Sequence, residues 1–92
     1  MAQSESTKKI YIIAGEQSGD ILGARLMAAL IERGDVTFSG VGGVSMKDQG
    51  LDSLFPMHDL SVMGITEVIP RLPLIMRRIK QTVNDIIKQK PD

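Results

Sequence analysis

A short apolar run, a glycine-bearing turn, a helical segment and a second apolar run follow one another, and this order constrains the fold most. Residues 10–14 are apolar without alternation and rich in β-branched side chains, which is typical of a strand buried on both faces of a parallel sheet. Residues 20–33 have helical periodicity, with a C-terminal turn at Gly34 and Asp35. Residues 36–41 form a second strand. Because strand, helix and strand fit within about 30 residues, we predict a βαβ unit with a parallel sheet.

The remaining elements are expected to be shorter, apart from a last helix. Residues 44–49 predict a short helix and residues 52–55 a short third strand. A long helix should follow Pro70 and end before Pro91, because proline cannot continue it. The apolar face of the first helix is predicted to consist of Leu22, Leu26, Ala29 and Leu30.

The long helix carries an apolar stripe, which we divide into two parts. The C-terminal part should be core, because it leads directly into a further strand. The N-terminal part lies among cations, a combination typical of a helix in an anionic membrane surface. Packing of the whole stripe on the sheet is the alternative. The predicted core residues are Ile79, Val83, Ile86 and Ile87. The predicted membrane-facing residues are Val68, Ile69, Leu72, Ile75, Met76, Arg77 and Arg78.

Composition excludes several classes of function. Without cysteine the chain has no disulfide and no thiolate metal site, and the lone His58 cannot form a zinc cluster without several carboxylates. Zero formal net charge and only three aromatic residues, two Phe and one Tyr, argue against nucleic-acid binding. No stretch approaches the ~20 apolar residues of a membrane span, so we expect a cytoplasmic protein, free or on a membrane surface. No metal or cofactor is expected.

The turn between the first strand and the first helix is the candidate ligand site. The N-terminus of a helix offers unpaired N–H groups, and ligands gather at the carboxyl ends of parallel strands. Gly15 and Gly19 allow a tight backbone, Ser18 can cap the helix or donate to an oxygen, and Glu16 and Asp20 are acidic. The spacing fits neither a dinucleotide fingerprint nor a P-loop, and two acids suit sugar hydroxyls better than phosphate. An ordinary turn before a capped helix remains the alternative.

Several motifs in the same order resemble lipid-A-disaccharide synthases. They are AGEQSGDILGA at residues 14–24, GVGG at 40–43 with Met46 and Gly50, DLSVMGI at 59–65 with Glu67 and Val68, and KPD at 90–92. The resemblance covers residues 9–92. Gln17 departs mildly, since the family often has threonine there.

The resemblance implies a two-domain, B-type glycosyltransferase fold with two Rossmann-like halves, of which this chain would be a truncated amino-terminal half. Residues 1–8 are expected to be a disordered start and residues 9–92 a partial domain on the acceptor and membrane side, without the UDP-sugar domain. The family joins UDP-2,3-diacylglucosamine to 2,3-diacylglucosamine 1-phosphate (lipid X), which yields lipid A disaccharide and UDP. The expected location is the cytoplasmic side of the inner membrane of a Gram-negative bacterium.

By matching position, the resemblance places Glu16 as a catalytic candidate, with the general base beyond residue 92, so we expect the chain alone to be inactive. The acceptor-binding residues would be Gly15, Ser18, Gly19, Asp20, Met63 and Gly64. Two other interpretations stay open. One is a non-catalytic, truncated α/β module that binds a membrane surface or a sugar lipid. The other is an unrelated nucleotide-binding domain, which the acidic turn and the missing phosphate-binding lysine disfavour. The oligomeric state is left undetermined.

Overall fold

The computed structural model describes residues 7–60, 70 and 72–92 of the chain. Regular structure within these residues follows the predicted α/β order, and the predicted short and long helices are both present. The elements are β1 (Lys8–Ile13), α1 (Gln17–Arg33), β2 (Val36–Val41), α2 (Val44–Asp48), a 3₁₀ turn (Met57–Leu60) and α3 (Leu72–Gln89).

The two strands form a parallel sheet, which confirms the predicted βαβ unit. Ile12 of β1 lies opposite Gly40 of β2. Gly40 has a φ of 138°, and a Cβ atom there would lie 1.8 Å from the carbonyl oxygen of Ile12. Only glycine satisfies both conditions, so this position allows the two strands to approach and pair to their ends.

The third strand predicted at residues 52–55 is wrong, because the described chain makes no ladder there. A single backbone bond joins the N–H of Leu54 to the carbonyl of Gly40, at 2.8 Å. The hydroxyl of Ser53 accepts a hydrogen bond from the N–H of Gly42, at 3.1 Å. This side-chain bond takes the place of a ladder bond, so the backbone pairing does not extend beyond Leu54.

The predicted apolar face of α1 is wrong as well. Leu22 and Leu26 are 64% and 51% exposed, Ala29 is exposed, and Leu30 is only half-buried. The buried apolar positions of α1 are Ala24 and Met27. Leu22 and Leu26 therefore do not face the core; the face that carries Met27 and two small residues, Gly23 and Ala24, does.

Close packing of α2 against α1 explains this choice of face. A Cβ atom at Gly23 would lie 2.8 Å from the sulfur of Met46, which is fully buried. The absent side chain at Gly23 lets α2 lie on this part of α1, as close packing of interiors requires. The resulting core consists of Ala14, Ala24, Met27, Met46 and Leu51, with Ile12, Phe38 and Met57 packed against it.

Polar side chains contribute to the contact between α3 and the rest of the chain. The hydroxyl of Tyr11 in β1 donates to a carboxylate oxygen of Asp85, at 2.7 Å. Of the four residues predicted to be core, Ile79, Val83 and Ile87 are exposed and Ile86 is half-buried. The core prediction is therefore wrong for the described residues, because periodicity locates an apolar stripe but not what covers it. None of the described helices has both the length and the apolarity needed to cross a membrane.

Candidate functional site

The turn after β1 places two polar side chains in direct contact at the head of α1. Glu16 is the N-cap residue, and its carbonyl accepts the N–H of Asp20 at 3.0 Å. The predicted cap at Ser18 is wrong, because α1 begins at Gln17 and Ser18 already lies within its first turn. Instead the hydroxyl of Ser18 donates to Oε1 of Glu16 at 2.7 Å.

Both members of this Glu16–Ser18 pair are exposed, so they can exchange partners with a ligand. A carboxylate accepts hydrogen bonds and protons, and a hydroxyl can donate or accept. Such a pair can orient a hydroxyl group of a sugar or share its proton. The adjacent Gly15 and Gly19 have no side chains that would block the approach.

Asp20 lies one turn further along α1 in a different environment, since it is only 4% exposed. Its Oδ1 accepts the backbone N–H groups of Gly43 at 2.8 Å and Met46 at 2.9 Å. Its Oδ2 accepts the N–H of Ser45 at 3.0 Å. These donors belong to the start of α2, which has no side-chain cap of its own because its N-cap residue is Gly43. Asp20 therefore caps a second helix from within the first.

The hydrogen bonds decide the charge state of Asp20. Burial alone would raise its pKa, but the N–H groups of Met46, Ser45 and Gly43, together with the hydroxyl of Ser45, outweigh burial and lower the pKa. The side chain is therefore an anion at neutral pH. Its negative charge also lies at the positive end of α2, where the helix dipole favours an anion.

Gly43 is required where it stands because the Asp20 carboxylate approaches its backbone closely. A Cβ atom at Gly43 would lie 2.8 Å from Oδ2 and 2.9 Å from Cγ of Asp20, and 3.1 Å from Cε of Met57. Gly43 thus serves both as the start of α2 and as the gap into which the carboxylate fits.

A cleft of about 520 Å³ opens between the first turns of α1 and α2 and the start of the 3₁₀ turn. Gln17, which follows Glu16, is part of its wall, and Asp20 lies at its side. Its other lining residues are Ile21, Gly43, Val44, Ser45, Pro56, Met57 and His58. The volume falls within the range of small-molecule sites. The described residues contain no group of three or more histidine or acidic side chains able to hold a metal ion.

The other predicted site residues divide into three sets. Met63, Gly64, Val68 and Ile69 lie outside the described residues. Leu72, Met76 and Arg77 are exposed on α3, and Ile75 is half-buried. Arg78 is half-buried and engaged within the protein: it pairs with Asp59 at 2.6 Å and lies 4.8 Å from the centre of the Phe55 ring.

The link between Asp20 and the residues 43–46 that it caps does not follow from the local pattern of α1. The sequence just before α2 carries a signal for it. Gly42 and Gly43 precede α2 without any serine, threonine or acidic residue at the cap position, so the N–H groups of that helix needed an acceptor from elsewhere.

The comparison with protein families decides the classification. The model of the family described as lipid-A-disaccharide synthetase matches residues 10–92, which is nearly the whole chain. The chain belongs to the lipid-A-disaccharide synthetase family.

Curated members of the lipid-A-disaccharide synthetase family support this membership. The lipid-A-disaccharide synthase of Paramagnetospirillum magneticum is 64% identical over 85 residues, covering 90% of this chain and 22% of that protein. That of Rhodospirillum centenum is 54% identical over 85 residues, covering 90% and 21%. That of Rhodopseudomonas palustris is 52% identical over 93 residues, covering 99% and 24%. The chain thus spans between a fifth and a quarter of the length of these relatives.

Proposed function

We propose that the protein containing this chain transfers 2,3-diacylglucosamine from UDP to lipid X, forming lipid A disaccharide and UDP. The family membership supports a glycosyltransferase of lipid A biosynthesis. The exposed Glu16–Ser18 pair at the head of α1 carries the proposal for this chain, because it offers an acceptor and a donor for a sugar hydroxyl.

The reaction requires loss of a proton from the acceptor hydroxyl as the bond to the diphosphate breaks. In our proposal Glu16 contacts that hydroxyl and orients it, Ser18 holds the carboxylate in place, and the general base lies beyond residue 92. Gly15 and Gly19 leave room for the sugar. Met63 and Gly64 remain proposed acceptor contacts from a neighbouring segment.

Asp20 takes a supporting role within the proposal. Three backbone N–H groups already occupy its two oxygens, and little of it is exposed. Its hydrogen bonds favour a positioning role, in which Asp20 holds residues 43–46 against α1 and so keeps one wall of the cleft in place.

The proposal is tested by disaccharide formation with the full-length enzyme, UDP-diacylglucosamine and lipid X. We expect Glu16→Gln to lower kcat/KM by about 10- to 100-fold, the effect of losing one hydrogen bond to a charged group. Ser18→Ala should lower kcat/KM by up to about tenfold, the effect of one hydrogen bond. Glu32→Gln is the matched control, since Glu32 is an exposed acid in the last turns of α1, far along the helix from the pair. Unchanged kinetics in Glu16→Gln would remove Glu16 from the mechanism.

The chain by itself should be inactive, because the proposal assigns the donor UDP sugar to polypeptide beyond it. The alternative, a non-catalytic α/β module for a membrane or a sugar lipid, makes the same prediction for the isolated chain. The two differ in the full-length protein: turnover there supports the enzyme, and lipid X binding without turnover supports the module.

A membrane contact forms the second part of the proposal. Leu72 and Met76 are exposed, and Arg77 adds a cation beside them, so this end of α3 suits the surface of the inner membrane on its cytoplasmic side. Val68 and Ile69 are proposed to extend the contact, with Ile75 and Arg78 at its border. We expect Leu72→Ser with Met76→Ser to reduce binding of the full-length protein to vesicles with anionic lipid. Equal binding by this double variant and the wild type would exclude the contact.

A further inference from the structure

Arg78 of α3 uses all three nitrogens of its guanidinium group in polar contacts within the protein. Nε and Nη2 both contact Oδ2 of Asp59, at 2.7 and 2.6 Å. Nη1 donates to the side-chain carbonyl of Gln81 at 2.7 Å, and this contact within α3 fixes the orientation of the group. Arg78 and Asp59 are both half-buried, so solvent and salt screen their ion pair less than they would screen a surface pair.

The same guanidinium lies over the ring of Phe55, with Cζ 4.8 Å from the ring centre. Phe55 is only 5% exposed, so its ring offers the cation a fixed surface. Arg78 therefore contacts both Phe55 and Asp59, the two residues on either side of positions 56–58. One side chain of α3 thus holds this short segment at both of its ends.

Positions 56–58 form one wall of the candidate cleft. Pro56 and His58 are exposed, so packing of their own side chains does little to fix them. Met57 packs against the core, and the N–H of Asp59 donates to the carbonyl of Pro56 at 3.0 Å, which closes the turn. The exposed part of this wall therefore relies on the contacts at the two ends of the segment.

We propose that Arg78 is a positioning residue for the acceptor, which fixes the wall at positions 56–58 and thereby the shape of the cleft that receives lipid X. The inference rests on the proposed function, which assigns the acceptor to the head of α1 beside this cleft. Arg78 does not line the cleft, so it acts through the wall and not on the substrate. Asp20 holds the wall at residues 43–46, and the two walls thus have separate supports, one from α1 and one from α3.

Steady-state kinetics of the full-length enzyme, with each substrate varied in turn, test the proposal. Arg78→Ala should raise KM for lipid X by about tenfold and leave KM for UDP-diacylglucosamine within about twofold, because only the acceptor wall moves. Asp59→Ala should give the same pattern without altering the surface of α3. The double variant should be no worse than Arg78→Ala, since both substitutions break the same ion pair. Arg33→Ala is the matched control, because Arg33 is an exposed arginine at the end of α1, and both KM values should stay unchanged.

The two KM values separate a positioning role from the other roles of Arg78. A merely structural role would lower kcat through loss of folded enzyme and leave both KM values unchanged, which would overturn the inference. Loss of a membrane contact would raise KM for both acylated substrates alike, which would also overturn it. In either case turnover by the wild type leaves the proposed function standing, whereas absence of turnover in the wild type overturns the proposed function and this inference together.

Amide hydrogen exchange of the full-length protein gives a readout that does not depend on activity. The amide of Asp59 donates within the turn, and that of Met46 donates to Asp20 on the other wall. In Arg78→Ala, exchange at Asp59 should become at least about tenfold faster relative to exchange at Met46. An unchanged ratio of the two exchange rates would show that the wall does not depend on Arg78 and would overturn the inference.

Discussion

Oδ1 of Asp20 accepts the backbone N–H of Met46 at 2.9 Å, although 26 positions separate the two residues in sequence. Through this bond the first turn of α1 holds the first turn of α2. Met46 is itself fully buried against Gly23 of α1, so polar and apolar contacts fix the same pair of helices. The wall of the candidate cleft therefore depends on a carboxylate that need not touch a substrate.

Asp20→Asn should destabilise the protein by about 1–3 kcal/mol. One oxygen of the carboxylate becomes an NH₂ group, which cannot accept the backbone N–H it faces, and a buried donor is left unpaired. Chemical denaturation of the full-length protein measures the loss. Asp48→Asn is the control, because Asp48 is an exposed acid at the end of α2 and should change stability by less than about 0.5 kcal/mol. Equal effects of the two substitutions would contradict the capping role.

The pH dependence of stability should carry the signature of Asp20. Its pKa is lower in the folded state than in the unfolded state, so the unfolded chain binds more protons between the two values. The contribution of Asp20 to the free energy of unfolding is complete above the ordinary aspartate pKa and is lost as the pH falls through the lowered pKa of the folded state. The stability difference between wild type and Asp20→Asn should therefore be constant from pH 7 to about 5 and narrow on further acidification. A difference that widens in acid has the wrong sign for this mechanism.

Alanine should be tolerated at Gly19 and should destabilise the protein at Gly43. Gly43→Ala should destabilise the protein by about 1–3 kcal/mol, because the new methyl group overlaps the Asp20 carboxylate. Gly19→Ala should be neutral or stabilise it by up to about 1 kcal/mol, since its Cβ would meet Ala14 at an ordinary 3.5 Å within a helix. Thermal unfolding of the full-length variants compares them. A stable Gly43→Ala protein would mean that the carboxylate can move aside.

The hydrogen bond between Tyr11 and Asp85 should contribute about 0.5–1.5 kcal/mol to the docking of α3. A double-mutant cycle of Tyr11→Phe and Asp85→Asn measures this coupling energy. Burial and the Asp85 carboxylate raise the pKa of Tyr11, so its contribution is complete below the ordinary tyrosine pKa and is lost at higher pH. The difference in free energy of unfolding between wild type and Tyr11→Phe should decrease as the pH rises above about 10. If the effects of the two single substitutions on the free energy of unfolding add up to that of the double variant, the coupling is excluded.

Adjacent arginines on α3 should separate membrane binding from stability. Arg78→Ala should destabilise the protein by about 1–2 kcal/mol, because it removes the ion pair with Asp59 and the contact with the Phe55 ring. Arg77→Ala should leave stability unchanged and weaken binding to anionic vesicles by about 1 kcal/mol, since Arg77 is exposed. Vesicle sedimentation and thermal unfolding provide the two readouts. Loss of stability in Arg77→Ala together with loss of vesicle binding in Arg78→Ala would contradict the proposed orientation of α3.

The βαβ unit, both predicted helices beyond it and the position of the candidate turn follow from the sequence. Local patterns suffice for these, because strand and helix formation depends on neighbours a few positions away. The predicted cap at Ser18 was wrong for a local reason. Glu16 has the extended backbone of an N-cap residue, and α1 begins at Gln17, before the first residue of the apolar pattern.

Tertiary contacts decided what the patterns could not. The periodicity predicts Leu22 and Leu26 on the buried face of α1, but both are exposed. Because Gly23 has no side chain, α2 packs closely against α1 at that position, and Met46 contacts Gly23 there. The periodicity predicts Ile79 and Val83 as core, but both side chains are exposed, and Asp85 of α3 contacts β1 through the hydroxyl of Tyr11.

The order of the elements and the family of the protein can be predicted from the sequence, because local propensities and ordered motifs lie along the chain. The role of Asp20 as the cap of α2 becomes visible only once the helices are packed together. That role depends on bringing N–H groups 23 to 26 positions away into the reach of one carboxylate. Contacts of such separation arise from the packing of whole helices, which no local pattern encodes.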